Sequence, residues 1–183
     1  PGTKARPRFA SRNWCAVSDG TTKEAFFSVF NANDTHAFLI AREADYPAIG
    51  VQASFVPRLM KPGDTWETKY RIGAVSGLAH IDFASEELAA QVDYSAGKLA
   101  ILMAPTKGTP GMTIHPQVTA ENDRVWDLPA KKFDLVPGKL VRATYDWQPP
   151  ADGEYRLVAR VKQNGKDFAL GADTASPNGA LDT

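Results

Sequence analysis

The residues able to do chemistry are few and scattered. The chain holds three histidines, His36, His80 and His115, and one cysteine, Cys15. His80-Ile81-Asp82 sets an imidazole and a carboxylate two residues apart. On a strand that spacing puts both on one face, where they could share a metal ion or relay a proton. A polar pair at a strand margin has the same spacing and no chemistry. His115 follows Met112 by three residues in a Pro- and Gly-rich stretch and, with Met103, supplies the ligand types of a soft copper site; so short a spacing also recurs by chance. His80, Asp82 and His115 are therefore weak metal candidates, and no metal or cofactor is assigned. Ser76, in Val75-Ser76-Gly77, lacks the Gly-x-Ser-x-Gly elbow, and Cys15 beside Trp14 reads as a small buried hydrophobe. Gly108 and Gly111 bracket Thr109-Pro110 without the strand-to-helix setting of a phosphate loop. The carboxylate pairs Glu86-Glu87, Glu121 with Asp123, and Glu43 with Asp45 lie in polar stretches and read first as solvated surface. Glycosidic acid–base work needs two carboxyls converging from separate strands, which spacing alone does not supply. No catalytic residue is assigned.

The aromatic residues divide by their surroundings. Trp66, Trp147, Tyr70, Tyr145 and Tyr155 fall on alternating apolar faces and read as core. Trp126 beside Asp127 and Tyr46 beside Asp45 are the candidate ligand-binding rings, able to stack on a sugar or a partner surface. Asn33-Asp34-Thr35 is a glycosylation sequon in an expected loop.

These residues must be positioned by strands. The chain has 183 residues with 14 Gly and 13 Pro, and short stretches rich in Val, Ile, Phe, Tyr and Trp lie between those punctuating residues. The rhythm predicts an all-β fold with helix below about a tenth of residues, far under the usual third. Charge balances at 21 Lys+Arg against 21 Asp+Glu, so no basic field exists to neutralise a phosphate backbone, and nucleic acid is excluded as a partner. No apolar run approaches the roughly 18 residues of a membrane-spanning helix. The sequence opens at Pro1 with neither an initiator Met nor an apolar leader, which reads as a processed or excised piece of a longer protein. A single cysteine permits no internal disulfide.

Lys61-Pro62-Gly63-Asp64 predicts a turn into a strand with Trp66, Thr68, Tyr70 and Ile72 on its core face. Leu135-Val136-Pro137-Gly138 repeats the device, with Val141, Ala143, Tyr145 and Trp147 facing inward. Tyr155, Leu157, Ala159 and Val161 then alternate with Arg156, Val158, Arg160 and Lys162 up to a hairpin turn at Asn164-Gly165. Earlier strands are expected at Trp14–Val17, Glu24–Phe30, His36–Arg42, Ile49–Val56, Ala79–Phe83 and Lys98–Met103. Ser85–Gln91 is read as strand, although it also carries helix formers. Ala104–Pro116, with three prolines and two glycines, is expected to be a loop, and the tail from Gly171 to Thr183 is expected to fray. A boundary near Val75–Leu78 gives two β-sandwich units, residues 1–76 and 77–183. The second has room for about seven strands, the immunoglobulin-like count. The first has about five and reads as the end of a larger domain or as a unit that borrows strands from a partner.

The string LVPGKLVRATYDWQPPADGEYRLVARV, from Leu135 to Val161, resembles the last hairpin of immunoglobulin-like or fibronectin-like modules in bacterial and archaeal surface proteins. Gly153-Glu154-Tyr155 matches their Gly-x-Tyr, and Asp152 suits a tyrosine corner. The first half, from Asn13-Trp14 through Phe26–Phe30 to Phe55–Trp66, resembles the closing strands of the galactose-mutarotase-like supersandwich. That resemblance implies a sugar-related setting and no catalytic motif.

The sequence thus predicts a non-catalytic β-sandwich accessory module of a larger secreted or cell-surface, carbohydrate-associated protein, located extracellularly, on the cell surface or in the periplasm. Its partner is another protein chain or the remainder of a parent polypeptide, met through residues 1–76, with carbohydrate as a further ligand. The alternative is part of a polysaccharide-active enzyme (a lyase, hydrolase or epimerase) completed by another segment or chain.

Overall fold

A computed structural model describes residues 6–9, 13–42, 49–163 and 166–175. These residues contain strands and no helix, so the chain is all-β. It divides into two compact units, one of Pro1–Cys15 with Ser28–Ile72, the other of Ala16–Phe27 with Gly73–Thr183. Among the described residues six strands precede residue 77: β1 (Arg6–Phe9), β2 (Trp14–Asp19), β3 (Glu24–Phe30), β4 (Thr35–Arg42), β5 (Ile49–Phe55) and β6 (Tyr70–Ser76). Nine follow: β7 (Phe83–Ala84), β8 (Leu88–Ser95), β9 (Lys98–Pro105), β10 (Thr109–Ala120), β11 (Val125–Asp127), β12 (Lys131–Leu135), β13 (Val141–Asp146), β14 (Tyr155–Gln163) and β15 (Lys166–Ala175).

In the first unit β1, β4 and β5 form an antiparallel sheet in that order, with Phe38 opposite Arg8 on one side and Ala53 on the other. The Phe30 and Phe38 rings, both buried, pack 4.6 Å apart. Strands β2, β3 and β6 form a separate three-stranded sheet.

Strands β7 to β15, all in the second unit, form two antiparallel sheets. One runs β13-β9-β8-β7; the other runs β11-β10-β14-β15, with β12 also pairing β10. Leu88, Ile101 and Met103 from the first sheet share one buried cluster with Met112, Ile114, Val118, Leu157 and Val161 from the second. Strand β14 shows how the chain encodes this. Leu157, Ala159 and Val161 are buried while Arg156, Arg160 and Lys162 are exposed, the period of two that a sheet with one solvated face requires. The chain crosses between sheets at β9 to β10, at β12 to β13 and at β13 to β14.

Two sequence expectations are overturned here. Ala104–Pro116 is not a loop: Lys98–Pro105 and Thr109–Ala120 are strands. The prolines and glycines sit where a strand tolerates them. Gly111 has φ 65° at a register shift between β10 and β12, and its N–H donates to Asp134 Oδ1 at 2.7 Å, as in a glycine bulge. Pro116 falls where the outer partner of β10 changes from β12 to β11, so its missing N–H costs little pairing on that side. The second correction concerns the strand after Gly63, which begins at Tyr70 rather than at Thr65 and carries its apolar residues outward. Tyr70 is 57% exposed and Ile72 69%, whereas Gly73 and Val75 are partly buried. The buried Phe27 ring occupies the space at Gly73 and fixes that register. Tyr70 and Trp66, read as core, are both exposed.

Smaller differences have local causes. Residues 79–82 are irregular, and only Phe83–Ala84 pairs there. Strand β15 extends through Ala175, into the stretch expected to fray; residues 176–183, Tyr46 and the Asn164-Gly165 turn lie outside the described residues.

Candidate functional site

Within the first unit, residues 56–69 leave β5 as an irregular segment that is exposed almost throughout. Exposed chain of this kind is ordinarily polar, yet this one carries Val56, Leu59 and Met60, and Leu59 has the full exposure of an unfolded side chain (102%). The segment is nevertheless tied down. Asp34, in the turn between β3 and β4, forms an ion pair with Arg58, and its other carboxylate oxygen accepts from Asn31 Nδ2 at 3.0 Å and Thr68 Oγ1 at 3.2 Å. The Asp34 carbonyl accepts from Val56 N–H at 2.9 Å. The Arg58 guanidinium lies 5.1 Å from the Trp66 ring centre, and Phe55 meets Trp66 edge-on at 5.2 Å. Asp64 Oδ2 accepts from Lys61 N–H and closes the Pro62-Gly63 turn, where Gly63 takes φ 93°. One carboxylate and one indole therefore hold both ends of a short apolar projection whose tip, Leu59-Met60, touches solvent.

The sequence-nominated residues are distributed as follows. Trp126, on β11, is half-buried. It packs edge-on against Trp147 and Tyr155 at 6.2 and 6.0 Å, and the Arg124 guanidinium stands 4.9 Å from its ring centre. With Tyr94 these rings form an aromatic cluster beside a narrow gap lined by Tyr94, Leu99, Trp147, Pro149 and Tyr155. Trp147 is half-buried and its indole N–H has no protein acceptor among the described residues. Tyr155 is buried, as its alternation implies.

His80 and Asp82 do meet: Nε2 lies 3.1 Å from Asp82 Oδ2. Their hydrogen bond holds the imidazole above its ordinary pKa, against the partial burial that opposes it, and Asp93 adds to the effect. His115 is exposed on β10 opposite Arg160. Among the described residues no three His, Cys, Asp or Glu side chains gather as a metal site. Burial pushes the Cys15 thiol up, with Ser28 hydrogen bonds opposing, so it is not an activated thiolate. Ser76, Glu86, Glu121 and Asp123 are exposed. Asn33 is exposed in the β3–β4 turn, and the Thr35 hydroxyl donates to Asn31 O.

Sequence reasoning missed the Asp34–Arg58–Trp66 support. Asp34 lies 24 residues before Arg58 and 34 before Thr68, and only the fold brings the turn at Asp34 to the Pro-Gly segment. Leu59 and Met60 beside Pro57 and Pro62 were the available signal, since apolar residues in a stretch unable to pair as a strand must lie exposed or be covered by something else.

Comparison with protein-family models, with curated proteins and with solved structures returned no match for this chain.

Proposed function

We propose that this chain is a non-catalytic β-sandwich module that works by binding. Its second unit is an immunoglobulin-like scaffold, and its first presents the contact surface. The partner is another protein chain, or the remainder of a parent polypeptide, covering the Val56–Met60 projection. The single observation that carries this reading is Leu59, fully exposed at the tip of a segment that Asp34, Arg58 and Trp66 hold in place. A loop without function would gain by making that position polar; holding it in place lowers the ordering cost that a partner would otherwise meet.

The immunoglobulin-like reading of residues 79–170 is supported by the order in which strands cross between the sheets. Strands β8, β9 and β13 lie in one sheet, and β12, β10, β14 and β15 in the other. The corner tyrosine at the start of β14 supports it too. A secreted or cell-surface, carbohydrate-associated setting rests on the resemblances of the two halves.

The test is a Leu59→Asp, Met60→Asp double variant, produced in the natural host and isolated without denaturant. The wild-type protein should elute in an assembly from which the variant is lost, while the variant keeps the wild-type circular dichroism. An unchanged assembly, or release of sugar from a polysaccharide panel by the wild-type protein, would overturn the reading.

A further inference from the structure

The connection leading into β7 is closed by side chains where strand pairing stops. Strand β7 pairs with β8 only at Phe83 with Ala90 and Ala84 with Ala89. Beyond that point Asp82 N–H still donates to Ala90 O at 2.9 Å, but the chain then departs from the ladder. The next donor along the β8 edge, Val92 N–H, has no strand carbonyl opposite it. Asp82 Oδ2 takes that place, accepting from Val92 N–H at 2.7 Å. The same oxygen is the one 3.1 Å from His80 Nε2.

Gln91, buried on β8, completes the fastening. Its Oε1 accepts from Ala79 N–H at 2.6 Å and from His80 N–H at 3.3 Å, and its Nε2 donates to Asp93 Oδ1 at 2.8 Å. Leu78, fully buried, anchors the start of the segment. An unpaired strand edge is a template for another chain, so filling it with a carboxylate is also a guard against edge pairing.

We propose that His80 and Asp82 form a pH-sensitive clasp that closes the free edge of β8 over Gln91–Asp93, tight in acid and loosened as the imidazole loses its proton. Among the described residues the charged groups acting on His80 are Asp82, two residues away on the same segment, and Asp93 on β8; both are acidic, and both favour the imidazolium. The direction follows from linkage. The folded-state pKa lies above the unfolded value of about 6.5, so the contribution is complete below that pH and is lost as pH rises through the folded value. Neutral His80 leaves a carboxylate beside Val92 without its counter-charge.

The experiment uses the full chain, following the His80 ring resonances and the Val92 amide protection factor by NMR from pH 5 to pH 9. The expected result is a His80 titration above the ordinary histidine value, with Val92 protection falling across the same interval. In H80Q that step should vanish, and in D82A, which removes the acceptor oxygen altogether, the His80 titration should move downward while Val92 protection is lost at every pH. A His80 that titrates at or below the ordinary value in the wild-type protein would overturn the proposal. So would a Val92 amide whose protection ignores the titration, and neither observation depends on a variant folding.

Discussion

The Tyr155 hydroxyl donates to the backbone carbonyl of Ala151, four residues upstream, at 2.7 Å. It ties the loop between β13 and β14 to the first residue of β14, while the ring itself lies in the core against Trp147 at 5.1 Å. Tyr155→Phe removes the bond and keeps the ring. A loss of about 1 kcal/mol is expected, the net value of one such hydrogen bond, read as a lower urea midpoint at unchanged slope. No change in midpoint would mean that the loop is held by other contacts.

Gly73 and Phe27 test the corrected register of β6. A methyl group at residue 73 would overlap the Phe27 ring, so Gly73→Ala should destabilise by roughly 1 to 3 kcal/mol through overpacking. Combining it with Phe27→Leu should cost less than the sum of the two single changes, because the same space is vacated. Strict additivity in the double-mutant cycle would show that the two residues are not in contact.

Tyr145 is almost wholly buried, and its hydroxyl has no protein partner among the described residues. The Lys131 ammonium sits 4.6 Å from its ring centre and bonds to Thr144 O instead. Burial pushes the phenol pKa from 10.0 up to about 12. The folded state therefore keeps its proton where the unfolded chain loses it, and stability falls as pH rises past 10. Tyr145→Phe should be neutral or stabilising by about 1 kcal/mol at pH 7, since it removes a buried polar group without a partner. It should also flatten the alkaline fall in a melting-temperature series from pH 8 to pH 11. A clear loss of stability at pH 7 would show that the hydroxyl has a partner.

Trp147 bridges Tyr94, Trp126 and Tyr155. Trp147→Ala should cost on the order of 3 to 5 kcal/mol by opening a cavity in that cluster. Trp147→Phe should cost much less, because the indole N–H it discards has no protein acceptor. A loss under about 1 kcal/mol for the alanine variant, by urea denaturation, would place the ring outside the core.

Where burial on one face follows the pleat, the sequence was legible: β14 and β13 read from Tyr155 to Val161 and from Val141 to Tyr145 as they stand in the fold. Legibility failed where long-range geometry overrides local composition. Three prolines and two glycines argued against pairing in Ala104–Pro116, yet a bulge at Gly111 and a change of partner at Pro116 accommodate them. In β6 the alternation of Tyr70 and Ile72 pointed the wrong way, because period two fixes that residues share a face and not which face is buried. Within the site, His80 and Asp82 were legible as a pair from spacing alone. The Asp34–Arg58 tie was not, since no local pattern joins a turn residue to a side chain 24 positions on.

The central claim is that the Val56–Met60 projection is covered in the protein's working state. Hydroxyl-radical footprinting reads this directly at Met60 and Leu59, comparing the isolated chain with the protein as its natural source assembles it. In the isolated chain both side chains should label fast, Leu59 being fully exposed and Met60 46% so. In the native material both should be protected, while His115, exposed on β10, labels equally in the two samples. Equal labelling of Leu59 and Met60 in both would contradict the account.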